Sequence, residues 1–159
     1  MSAADPCPPR PAERLFLALP GDALPGPETG TPASRFGQLP VPTDLRPVLG
    51  RSLWYREALP ADASVAERVL PDGAVRLAMN LSGSSPSAVV IGPKASAEII
   101  VLQDRMEGLS IEVRPGATQA LLGIEAGEIA GQVLQLSDLW GRPGADLADR
   151  LAEVRAADD

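Results

Sequence analysis

The stretch RVLPDGAVRLAMNLSG, residues 68–83, decides how the rest of the chain is read. It breaks at Pro71-Asp72-Gly73 and then alternates apolar and polar side chains. Proline presets φ for the second position of a turn, aspartate bonds its own backbone, and glycine accepts positive φ. After that corner Val75, Leu77, Met79 and Leu81 point one way, and Arg76, Ala78, Asn80 and Ser82 the other. The spacing predicts a half-buried strand entered through a tight turn, and such a strand needs partners.

Outward from the corner, the partners are legible as further strands. SLWYRE (52–57) and AERVL (66–70) precede it. SAVVIGP (87–93) reads as a buried strand ending at a Gly-Pro stop. SAEIIVLQ (96–103) reads as another, apolar on both faces. GLSIEVRPGA (108–117) alternates, with Leu109, Ile111 and Val113 inward and Ser110, Glu112 and Arg114 outward. Turn signals recurring at such short spacing predict an antiparallel sandwich or small barrel.

The period then changes. GATQALLGI (116–124) and EAGEIAG (125–131) read as short helices or turns, and Ser137 is placed to cap a turn carrying Leu139 and Trp140. In GADLADRLAEVRAA (144–157), Leu147, Leu151 and Val154 recur at helical spacing. The expected fold is therefore mainly β with C-terminal helices, α+β, closing on an amphipathic helix.

Most of the 17 prolines fall before residue 48. Residues 1–43 are expected to form a proline-rich, mostly irregular arm, with one helical turn near 12–19. Residues 44–159 then make a single domain, and 159 residues suffice for a core without disulfides. Cys7 stands alone, and no apolar run reaches the ~18–20 residues of a membrane span. The expectation is a cytoplasmic, soluble protein.

Chemistry is narrowed most by a missing residue. The chain has no histidine, which removes Ser-His-Asp and Cys-His nucleophiles and every histidine metal site. Lys94 is the single lysine. Glu98 and Glu112 are the acidic candidates in strands, too few for an all-carboxylate metal site. No enzyme, cofactor or metal is expected. The net charge of −7, with arginines scattered singly, argues against direct DNA binding.

Taken together, LWYRE, ERVLPDGAVRLAMNL, VVIGP, IEVRPGATQALLGI and LSDLWGRPGADLADRLAE resemble the N-terminal domain of AraC-type bacterial transcription regulators. The resemblance runs from about residue 45 to 155. It implies a cupin-like β-barrel that senses an effector and dimerises, here expected to act without the helix-turn-helix half. Ala74, Arg76 and Glu125 depart from the residues those regulators usually carry at these points. Three site residues follow for ligand binding. Arg114 ends a strand where a guanidinium can reach a carboxylate or phosphate, Asn80 lies on a polar strand face, and Asp72 sits in the corner. Asp72 also has a structural explanation in its turn and Arg114 in a salt bridge to Glu112 or an acidic helix residue, and the face that carries Asn80 is either cavity or solvent. Leu147, Leu151 and Val154 either pack on their own domain or form a homodimer or heterodimer seam. Three functions stay open: an effector sensor in transcriptional control, a non-catalytic module pairing with a full-length relative, and a truncated regulator.

Overall fold

Valine, leucine and methionine at every second position suit β4 (Val75–Asn80) to the interior of a six-stranded antiparallel sheet, where it is one of the two middle strands. The computed structural model describes residues 35–60, 64–82 and 87–158. The sheet order is β1 (Arg35–Leu39), β2 (Leu49–Ala58), β7 (Arg105–Val113), β4, β5 (Ser87–Ile91) and β8 (Val133–Gln135). Register pairs Val75 with Val113, Leu77 with Ile111 and Met79 with Leu109 on one side of β4, and Leu77 with Val90 on the other. One face of the sheet is thus a continuous apolar layer, and full burial of each such side chain contributes roughly 1.5–3 kcal/mol.

The C-terminal segment covers that layer. Helix α1 (Thr118–Leu122), the turn that buries Ile129, helix α2 (Leu136–Trp140) and helix α3 (Arg142–Asp158) supply Leu122, Ile129 and Leu136 to the same core. Trp140 Nε1 donates to the Leu121 carbonyl at 3.1 Å and ties α2 to α1. Leu147 and Leu151 pack on this core, and the Val154 side chain lies outside the described residues. The fold is mainly antiparallel β with C-terminal helices, as alternation and turn spacing imply.

Among the described residues a second sheet consists of β3 (Ser64–Val69) and β6 (Glu98–Gln103). It continues the β2–β7 ladder past a bend: Ala58 pairs with Arg105, and Ser64 pairs with Gln103. Asp104 makes the bend with φ 56°, and its carbonyl accepts from the Leu59 N–H at 2.8 Å.

Three expectations are corrected. Arg35–Leu39 is a strand on β2, so the sheet begins inside the segment expected to be irregular. Residues 1–34, with the turn expected at 12–19, lie outside the described residues. The strand β6 is not buried: only Leu102 is, while Ile99 and Val101 are 48% and 58% exposed, because β3 is its sole partner among the described residues. Ser137 is not a cap, because α2 starts at Leu136 and its N-cap Gln135 makes no side-chain bond. Strand β8 was not foreseen and depends on pairing with β5.

Candidate functional site: a charged row on the outer sheet face

Between Leu49 and Ser52 the β2–β7 register slips, so Gly50 and Arg51 together face one residue, Glu112. Such a bulge re-aims side chains on a rigid sheet. A Cβ at Gly50 would come within 3.1 Å of Glu112 Oε1, so the carboxylate lies over a position kept open by glycine. Arg51 Nη2 stands 3.8 Å from Glu112 Oε2. Across β7, Glu112 pairs in register with Arg76 of β4, and Arg76 is in turn ion-paired with Asp72. The result is one alternating row on the outer face: Arg51, Glu112, Arg76, Asp72.

The row is anchored unevenly. Arg76 keeps only 21% of its side chain exposed, whereas Asp72 is an exposed turn residue at 47%. Burial lowers the pKa of the Arg76 guanidinium from its ordinary value; Glu112 acts in the opposite sense, and the like charge of Arg51 lowers it further. Asp72 also accepts the Ala74 N–H on Oδ1 at 3.1 Å, so its turn holds it in place. Beyond Arg76 the same register line turns apolar. Arg76 pairs with Ile91 of β5, and Ile91 pairs with Val133 of β8, an exposed apolar residue.

The sequence candidates separate on this frame. Asp72 and Arg114 lie at the same end of the sheet, since Val113 pairs with Val75. Among the described residues Arg114 takes neither Glu112 nor a helix carboxylate; its Nε donates to the Leu49 carbonyl at 3.2 Å, at the start of the bulged strand. Asn80 ends β4 at the opposite end, opposite Gly108, and its Oδ1 accepts the Ser82 N–H at 2.9 Å. Glu98 and Glu112 lie in different sheets, each beside its own cation, Lys94 and Arg51. A shallow hollow at residues 94–98 and Gly131 holds that Lys94–Glu98 pair.

Residues missed at the sequence level are Arg51, Arg76, Arg56 and Glu107. Glu107 is 8% exposed on the inner face of β7, where Arg56 Nε and Nη2 donate to its Oε1 at 2.9 and 2.6 Å. Its backbone N–H donates to Ser82 Oγ, so Asn80 and Ser82 brace this pair from the end of β4. The signal was available. Carrying the Leu109, Ile111, Val113 alternation back by two positions places Glu107 on the inward face.

No curated protein and no solved structure matches the chain. A family model described as a domain of unknown function, DUF6597, matches residues 39–135. That span begins in β1 and ends with β8, so it contains the whole bulged row and the Arg56–Glu107 pair. Since the match covers more than half of its length, the chain belongs to the DUF6597 family.

Proposed function

We propose that this domain is a non-catalytic sensor acting in transcriptional control through a small effector. The resemblance of five ordered segments to AraC-type N-terminal domains supports this reading. So does a side-chain inventory without histidine. The observation that carries it is the outer-face row. A partly desolvated guanidinium, Arg76, is held on a rigid strand by an exposed turn carboxylate, Asp72, which a ligand can replace. Replacement would release the corner between β3 and β4 and shift the population of its conformations.

Thermal unfolding of the full chain against a library of small metabolites tests the reading. A ligand at about 100 times its dissociation constant adds roughly 2.7 kcal/mol, worth several degrees in a domain of this size. A cooperative melt that no compound moves would remove the sensor.

One observation favours a second reading, a module that pairs with a regulator of the resembling type. Ile99 and Val101 lie exposed on a two-stranded ribbon, which is marginal without further packing. Leu147 and Leu151, by contrast, already sit on their own core. Co-elution with such a regulator, lost on Val101→Lys, is the expected result under this reading.

A further inference from the structure

The outer-face row changes character along its length, and this change identifies a ligand class. From β2 to β8 the same register line runs Arg51, Glu112, Arg76, Ile91, Val133. Ala78 and Val89, paired with each other one step along, are half-buried on the same face beside it. A cation therefore stands at the head of an apolar track. Strands are spaced about 4.8 Å apart, so Arg76 to Val133 spans roughly 10 Å.

We infer that this row is a carboxylate-exchange site: an unbranched medium-chain carboxylate replaces Asp72 on Arg76 and lays its chain over Ile91 and Val133. The inference rests on the sensor reading and names its ligand. A monocarboxylate is favoured because Arg76 already holds one, and a ligand of the same charge and geometry makes the same bonds. Phosphate is disfavoured, since its second charge would enter the field of Glu112. Arg114, held by a backbone carbonyl just beyond the end of β7, adds a second cation at this end of the sheet. An apolar tail is required because Val133 is 55% exposed at the sheet edge, where a purely polar ligand would leave it uncovered.

The test is thermal unfolding and calorimetric titration of the full chain with octanoate below its micellar range, beside acetate, octanol and inorganic phosphate. Octanoate should raise the melting temperature saturably, with acetate, octanol and phosphate each producing far less. Arg76→Gln should abolish the shift. Should that variant fold poorly, Asp72→Asn decides the matter. It keeps the Oδ1 acceptor for Ala74 but removes the competing charge, and should tighten octanoate binding by up to about fivefold, the value of one exposed ion pair. Equal shifts from octanol and octanoate, or an Asp72→Asn affinity no tighter than wild type, would overturn the assignment. A library compound of another class acting through Arg76 would also overturn it while leaving the sensor standing. A flat response to octanoate and to the library alike would remove both.

Discussion

Arg56 and Glu107 face each other across β2 and β7 on the inner side of the sheet, with Arg56 Nη2 2.6 Å from Glu107 Oε1. Two strand residues of opposite charge thus stand on the face that carries the apolar core of β4, β5 and β7. Arg105 Nη2 lies 3.8 Å from the second carboxylate oxygen. Burying a charge is costly unless it is paired, so the carboxylate depends on its partner more than the half-exposed guanidinium does.

Arg56→Met should therefore lower unfolding stability by about 2 kcal/mol, below the range for a fully buried pair because Arg56 keeps contact with water. Replacing both partners, Arg56→Met with Glu107→Leu, should recover most of the loss. Urea denaturation at neutral pH reads both values. An Arg56→Met protein as stable as wild type would show that the pair contributes nothing.

The indole of Trp54 lies over Gly37, its register partner on β1. A Cβ on Gly37 would approach Trp54 Nε1 to 2.5 Å. Gly37→Ala should cost about 1–3 kcal/mol by overpacking and alter the tryptophan emission. Gly127 is the contrast, with nothing within 4 Å of an added Cβ and no left-handed φ. Gly127→Ala should be neutral, or stabilising by up to ~1 kcal/mol through the unfolded chain. Equal effects at the two positions would contradict this packing.

These pairs also show what the sequence could reveal. The alternation after Pro71 identified β4 and its inward residues, because period two is a local property. The bulge was invisible, since nothing in GRS (50–52) announces that Gly50 and Arg51 share one partner. Glu107 escapes for a smaller reason: GLSIEV reads as a strand from Gly108, one residue past it. Burial of β6 was overestimated because an apolar run records composition and says nothing of neighbours. RFGQL (35–39) was hidden by flanking prolines, and VLQ (133–135) is a strand only because β5 lies beside it. Asp72 and Arg114 are legible only singly; that Arg76 and Glu112 lie with them at one end of the sheet depends on register.

The ribbon yields a prediction from two adjacent residues. Leu102 is 4% exposed and Val101 is 58% exposed on the same strand. Leu102→Ala should destabilise by about 2–4 kcal/mol, whereas Val101→Lys should stay within about 0.5 kcal/mol. Chemical denaturation of the two variants checks this. A large loss on Val101→Lys in the isolated chain would mean that this face is covered.

The last prediction concerns the sign of the field along the outer row. Glu112 stands between two guanidiniums, Arg51 and Arg76, and Arg51 bears on Arg76 as a like charge. Glu112→Gln keeps the shape and removes the charge that separates them. The fold should lose about 1 kcal/mol, the upper end for partly exposed pairs. Because the new term is repulsion between solvent-accessible charges, salt should weaken it, and part of the lost stability should return near 1 M, where the screening length falls to about 3 Å. Adding Arg51→Gln to Glu112→Gln should restore stability at low salt as well, since the repelling partner is then gone. Melting temperatures of the three proteins at low and high salt measure all of this. A Glu112→Gln deficit that neither salt nor Arg51→Gln relieves would show that repulsion between Arg51 and Arg76 is not its cause.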